Sequence, residues 1–221
     1  MLISAVMTKN PLCIHPEMSI NDVRSLMEQK KIGHLPVLDK NNMLLGIMAR
    51  KDLLKAGPSL ATSLDMYEIN YLLSRMTVKD VMAKPVITVA DNEVVEEAAR
   101  IMADNAIGCL PVMRGKELSG IITDTDLFHV FVNAFGARHP GVRITCSLQE
   151  KPGQIARLAS AIAEAGGSIA ALVTSEGDTI SQRRLTIKIS GLNQSKVEQI
   201  LADFDDVKLE DIREGSVFIP A

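Results

Sequence analysis

The chain has 221 residues, 47% hydrophobic and 23% charged, with a formal charge of −3, the balance of a globular protein of one or two domains. Its 24 basic residues are scattered, with short clusters only at Lys30-Lys31, Arg50-Lys51 and Arg183-Arg184, and aromatics make up 3%; both facts argue against a nucleic-acid face. No apolar run approaches the ~18 residues of a membrane span, and the apolar segment 1–7 lacks a basic start and a small-residue cleavage site, so the expected location is cytoplasmic.

A duplication organises the first two thirds. Val6-Met7 returns as Val81-Met82, and Ile32-Gly33-His34-Leu35-Pro36-Val37 returns as Ile107-Gly108-Cys109-Leu110-Pro111-Val112, both 75 positions later. From 6 to 37 the copies align without a gap, with nine of 32 positions identical, far above chance. After a one-residue deletion, Leu44-Leu45-Gly46-Ile47-Met48-Ala49-Arg50-Lys51-Asp52-Leu53 matches Leu118-Ser119-Gly120-Ile121-Ile122-Thr123-Asp124-Thr125-Asp126-Leu127.

In chain order each copy begins with a short extended segment, predicted at 12–14 and 86–89. A helix follows. In copy one Ser19-Ile20-Asn21-Asp22 has the form of a capping box, and Ile20, Val23, Leu26 and Met27 keep helical spacing. In copy two Asp91 or Asn92 is the predicted cap, before Val95, Ala98, Ile101 and Met102. Gly33 and Gly108 fall where a left-handed helix stop is expected. Two strands come next, at 35–38 and 44–48 in copy one, joined by the turn Asp39-Lys40-Asn41-Asn42; Arg114-Gly115-Lys116 is its counterpart. A second helix opens at Arg50 or Asp124. Such a unit of about 50 residues is marginal alone, and two stacked units share a core. Between them Gly57-Pro58 stops a helix, and Leu64, Tyr67, Tyr71 and Leu72 form a partial helical stripe in a linker.

The chemistry concentrates where an apolar strand runs into a helix, at Gly120-Ile121-Ile122-Thr123-Asp124-Thr125-Asp126. Unpaired N–H groups at a helix start, with the Thr123 hydroxyl, are expected to hold a phosphate. Asp126, one turn in, is placed to accept from the vicinal hydroxyls of a ribose. Gly108 permits close backbone approach, and Pro111 lacks an N–H and stiffens the strand edge. In copy one Asp52 is kept, but Ala49 stands at the hydroxyl position and Arg50-Lys51 adds positive charge. Copy two has the hydroxyl but also Asp124, which repels a nearby phosphate. Both Asp52 and Asp126 are expected to hold riboses, the better cleft at Asp126.

This doubled pattern resembles the cystathionine-β-synthase (CBS) domain pair, the Bateman module, over essentially residues 1–136. The resemblance implies clefts that bind adenosine-containing ligands: AMP, ADP, ATP or S-adenosylmethionine, as regulatory ligands with no cofactor required. It places candidate nucleotide contacts at Gly33, Pro36, Arg50 and Asp52 in copy one. In copy two they fall at Ile87, Gly108, Cys109, Pro111, Thr123 and Asp126, with base contacts near 86–88.

Beyond the turn-rich break Gly136-Ala137-Arg138-His139-Pro140-Gly141, alternation predicts strands at 142–148, 168–174, 184–189 and 207–212. Helices are predicted after Pro152-Gly153, with Ile155, Leu158, Ala159 and Ile162 inward, and over 193–204. The order βαββαβ is a ferredoxin-like sandwich. Residues 142–214 resemble an ACT domain. Glu150, Pro152, Gly153 and Gln154 match the strand-to-helix loop near which such domains bind amino acids; the alternative role is dimerisation alone. The whole chain resembles the acetoin-utilisation protein B family, which implies control of acetoin or related carbon metabolism.

The predicted class is therefore α/β (α+β), with a first CBS repeat at 1–57, a helical linker at 58–77, a second repeat at 78–136 and an ACT domain at 142–215. The expected function is a homodimeric regulator that senses an adenine nucleotide, with an unknown regulated protein as partner. Catalysis and metal binding are not expected. His15, His34, His129 and His139 show no ligand spacing, no phosphate-loop or dinucleotide fingerprint is present, and Cys13, Cys109 and Cys146 are read as free thiols. A structural dimer with empty clefts, or a non-catalytic enzyme subunit, is the alternative.

Overall fold

In the computed structural model residues 1–56 and 75–215 are described. The Gly57-Pro58 stop and the stripe Leu64, Tyr67, Tyr71 and Leu72 lie outside the described residues. Two units carry the fold, Met1–Leu127 and Phe128–Ala221, and the architecture is the mixed α/β one that the periodicities predict.

In the first unit, copy one runs through a 3₁₀ turn (Ile3–Ala5), β1 (Thr8–Lys9), α1 (Ile20–Lys30), β2 (His34–Leu38), β3 (Leu44–Ala49) and α2 (Arg50–Ala56). Copy two follows with α3 (Val78–Val81), β4 (Val89–Ala90), α4 (Val95–Asn105), β5 (Cys109–Arg114), β6 (Glu117–Thr123) and the first turn of α5 (Asp124–Ala134), whose remainder falls in the second unit. Ser19 caps α1 as predicted: its hydroxyl accepts the Asp22 N–H at 3.1 Å and donates to the Asp22 carboxylate at 2.7 Å. The buried face of α1 is Ile20, Val23 and Met27.

Three local expectations are corrected. Helix α4 starts behind Val94, which makes no side-chain cap; Asp91 instead takes the Arg114 guanidinium at 2.6 Å, and the Val95 N–H is satisfied by the Met1 carbonyl. The left-handed stops are Lys31 (φ 54°) and Ala106 (φ 51°), not Gly33 and Gly108. The predicted extended segment 12–14 is reduced to a single parallel bridge, Ile14 to Val37, the counterpart of the β4–β5 pairing Val89 to Val112.

The two copies exchange their openings. Strand β1 pairs with β6 of copy two, Thr8 opposite Ile121, while Ala83 of copy two bridges to Ile47 on β3. Leu2 bridges to Val94, and Thr77 to Ser19. Val78 enters the first core beside Ile14, Ile20, Val23, Met27, Leu35, Val37, Met48 and Leu53. The exchange explains two glycines. A Cβ on Gly120 would lie 2.6 Å from the Met7 sulfur and 2.8 Å from the Thr8 carbonyl oxygen, and on Gly46 it would collide with the Met82 side chain.

The second unit holds β7 (Gly141–Gln149), α6 (Gln154–Glu164), β8 (Ser168–Glu176), β9 (Gln182–Ser190), α7 (Gln194–Ala202) and β10 (Val207–Gly215). The strands form one antiparallel sheet in the order β10-β7-β9-β8. Alternate residues Val142, Ile144, Cys146 and Leu148 of β7 pack with Leu185, Ile187 and Ile189 of β9 against Leu158, Ile162, Val197 and Leu201 of the helices. Ile155, predicted inward, is 39% exposed. Gln154 takes the buried position and donates to Asp206.

Candidate functional site

Each strand-to-helix corner ends in a carboxylate that closes back on its own strand. At the second corner Asp126 Oδ2 accepts the Thr123 N–H and the Thr123 hydroxyl, both at 2.8 Å. At the first, Asp52 Oδ2 accepts the Ala49 N–H at 2.9 Å; Ala49 offers no hydroxyl, and Asp52 is 9% exposed. A helix-to-strand loop completes each corner, α1 to β2 in copy one and α4 to β5 in copy two, because the Arg50 N–H bonds the Gly33 carbonyl at 2.9 Å and the Asp124 N–H bonds the Gly108 carbonyl at 3.0 Å.

The exchanged openings decide what faces each carboxylate. Thr123, Asp124, Thr125 and Asp126 line a cleft of about 340 Å³ with Thr8, Pro11 and Leu12 from the start of copy one and Lys31, Ile32, Gly33 and His34 from the end of α1. Asp52 and Lys51 line a second cleft of about 120 Å³ with Ala83, Pro85, Val86 and Ile87 from the start of copy two and with Gly108, Cys109 and Pro111. The clefts are related residue for residue by the repeat: Leu12 corresponds to Ile87, Gly33 to Gly108, and Asp126 to Asp52. Only the larger reaches the size at which small-molecule sites ordinarily begin.

The sequence-derived candidates therefore divide. Gly33, Thr123 and Asp126 come together in the larger cleft, with Arg50 at its rim through a 3.3 Å bond from its guanidinium to the Ile32 carbonyl. Asp52, Ile87, Gly108, Cys109 and Pro111 come together in the smaller. Pro36 lines neither; it is buried in β2 opposite Ile47, and its carbonyl accepts the Ile14 N–H. Sequence reasoning missed Pro11, Leu12 and Lys31 as neighbours of Asp126. The only signal for them was the repeat offset, which ties whatever faces Asp52 to its counterpart facing Asp126.

The N–H groups expected to receive a phosphate at the start of α5 are already used. Besides the two amides above, the Thr125 N–H bonds Asp124 Oδ1 at 2.7 Å and the Asp126 N–H reaches Thr123 Oγ1 at 3.4 Å. The expectation of open donors there is thus corrected: Thr123, Asp124 and Asp126 are themselves good caps. What stays available is Asp126 Oδ1, which has no hydrogen-bond partner among the described residues, and the open space over Gly33, where a Cβ would meet nothing within 4 Å.

Where the clefts adjoin, His34 lines both. Burial lowers its pKa, with Asp124 opposing in part. Burial also pushes the Cys109 thiol up to about 12, with the Asp124 charge adding to it, so Cys109 is a poor nucleophile at neutral pH. Among the described residues no group of three His, Cys, Asp or Glu side chains is placed to hold a metal ion. No helix among them is long and apolar enough to cross a membrane.

In the second unit the four loop candidates have different surroundings. Glu150 accepts the Arg183 guanidinium at 2.6 Å beside the 177–181 connection. Gly153, at φ 87°, precedes α6, Pro152 is exposed, and Gln154 is held by Asp206 and by Arg157 at 2.9 Å.

Comparison with known proteins gives a consistent answer for the first unit. The CBS-domain family model matches residues 3–59 and 78–133, just over half of the chain. The chain is similar to the Vibrio cholerae protein named as acetoin utilization protein AcuB, at 34% identity over 60% of this chain and 91% of that one, TM-score 0.51. It is similar to the CBS-domain pair of protein MJ0100 in complex with 5′-methylthioadenosine and S-adenosyl-L-methionine, at 26% identity over 59% of this chain and 95% or more of that one, TM-score 0.50. Among curated relatives, an inosine-5′-monophosphate dehydrogenase of Nitrosopumilus maritimus is 33% identical over 56% of this chain and 23% of that enzyme. The chain spans less than a third of the first curated relatives it matches.

Proposed function

This chain belongs to the CBS-domain family, and on that premise we propose that it is a regulatory sensor whose Asp126 cleft holds an adenosine-containing ligand. The observation that carries the reading is Asp126 itself. One carboxylate oxygen is fixed by Thr123, and the other has no partner among the described residues, in a cleft of about 340 Å³. A carboxylate so oriented accepts from both hydroxyls of a ribose without reorganising. Leu12 and Pro11 offer apolar surface for a base, and Gly33 lets a ligand approach the backbone. The likeness to the MJ0100 pair, whose complex contains two adenosine derivatives, supports the same reading. Asp52, Ile87, Gly108, Cys109 and Pro111 are proposed as the lesser site, restricted by its smaller volume. Binding would act by shifting the populations of two settings of the repeats rather than by chemistry, and the chain is read as non-catalytic.

For the second unit we infer an ACT-type role in homodimerisation in place of amino-acid sensing. Its βαββαβ order and single antiparallel sheet support the assignment, and Glu150 and Gln154 are already engaged by Arg183 and Asp206. Control of acetoin or related carbon metabolism in the cytoplasm is the proposed setting, supported by the likeness to AcuB.

The test is differential scanning calorimetry of the full chain with AMP, ADP, ATP, S-adenosylmethionine and 5′-methylthioadenosine. A ligand at 100 times its Kd stabilises by about 2.7 kcal/mol. At least one is expected to shift the first transition, and Asp126→Ala is expected to abolish the shift while keeping the fold. A full ligand response in Asp126→Ala refutes the assignment.

A further inference from the structure

We propose that the Asp126 cleft selects adenosine derivatives with a neutral or cationic 5′ group, a thioether or a sulfonium, over 5′-phosphates; this rests on the reading that the cleft holds adenosine at all. A 5′-phosphate seated at a helix start needs unspent N–H donors. Here the amides of Thr123, Asp124, Thr125 and Asp126 are all bonded to protein oxygens, and the Thr123 hydroxyl donates to Asp126. A phosphate would have to break these bonds to gain its own.

The charge set points the same way. Two carboxylates, Asp124 and Asp126, line the cleft against one ammonium, Lys31. Asp124 is anchored, its Oδ1 accepting the Thr125 N–H at 2.7 Å and the Thr125 hydroxyl at 3.3 Å, so its charge stays at the helix start. Lys31 is exposed, and the Arg50 guanidinium, which keeps its charge, is turned to the Ile32 carbonyl and does not line the cleft. A sulfonium near Asp124 is attracted, a thioether is indifferent and a phosphate is repelled. The corresponding corner in copy one carries Arg50 where copy two has Asp124, and Lys51 where it has Thr125, so the two corners differ in sign.

The experiment is isothermal titration of the full chain with adenosine, 5′-methylthioadenosine, S-adenosylmethionine and AMP, in wild type and Asp124→Asn, at two salt concentrations. In wild type, 5′-methylthioadenosine and S-adenosylmethionine are expected to bind on the order of tenfold or more tighter than AMP. Asp124→Asn keeps the acceptor for Thr125, and it should tighten AMP while leaving 5′-methylthioadenosine unchanged. Added salt should weaken S-adenosylmethionine and strengthen AMP. AMP binding as tight as 5′-methylthioadenosine in wild type, or an AMP preference unmoved by both Asp124→Asn and salt, overturns this inference alone. Failure of all four compounds to bind overturns the adenosine reading, and this inference with it.

Discussion

Gly120→Ala tests the exchange of openings directly. The added Cβ would lie 2.6 Å from the Met7 sulfur and 2.8 Å from the Thr8 carbonyl oxygen. The sulfur ends a flexible side chain and can turn away. The carbonyl cannot, because Thr8 is held in register opposite Ile121 by the β1–β6 pairing. Relief therefore requires β1 to shift or detach. Overpacking of this kind costs about 1–3 kcal/mol, and a unit of this size loses about 4 °C in Tm per kcal/mol. The expected fall in the first calorimetric transition is about 4–12 °C. At Gly46 the obstructing atoms all belong to the Met82 side chain, so Gly46→Ala should cost less than Gly120→Ala. Adding Met7→Ala to Gly120→Ala should recover none of the part due to the carbonyl. A Gly120→Ala protein melting within about 1 °C of wild type would show that β1 does not pack against β6 as described.

The remaining expectations are simpler to check. Gly33→Val places a branched side chain in open space facing the larger cleft; thermal stability should hold while adenosine-ligand binding, read by titration, is lost. Cys109 and Cys146 are buried, with thiols pushed up to about 12 and about 11 chiefly by burial; timed alkylation and peptide mass mapping should therefore label the partly exposed Cys13 first. The Asp206 carboxyl is held below its usual 3.8, chiefly by the Gln154 side-chain amide. Its stabilising effect is present above its unfolded pKa and is lost as pH falls through the lower folded one. Asp206→Asn should accordingly lower the Tm of the second unit at neutral pH and converge with wild type as pH falls through the folded pKa, which flattens the acid limb.

Much of this was legible in the residues, for reasons that also mark the limit. The 75-residue offset and the alternation of apolar positions are local signals, and they carry the β-α-β-β-α order, the Ser19 cap and the core face of α1. They are silent on partners. Thr8 and Ala83 pair across the duplication because of tertiary packing, so the sequence reading set Asp126 beside Ile87 and Gly108, whereas the chain sets it beside Leu12 and Gly33. Gly33 and Gly108 suited a helix stop on propensity, yet Lys31 and Ala106, both exposed, adopt the left-handed turn; it costs a non-glycine residue about 1–2 kcal/mol. The glycines two positions later serve the clefts instead. Likewise the amides at the start of α5 were expected to be open, because a one-dimensional reading counts a Thr or Asp as a ligand group and overlooks that it satisfies its own backbone first.

The interlocked openings set an order of events during synthesis. Met7 leaves the ribosome more than a hundred residues before the groove over Gly120 that receives it. The first half must therefore wait, with an apolar segment unhoused, until almost the whole unit has emerged. Closure at such long range is slow. Cleavage within 57–74 need not separate the halves, since β1 would still hold β6 and the Ala83 bridge would still hold β3. Two fragments cut there should reassemble when mixed, whereas either alone should expose a glycine-floored groove and associate with itself.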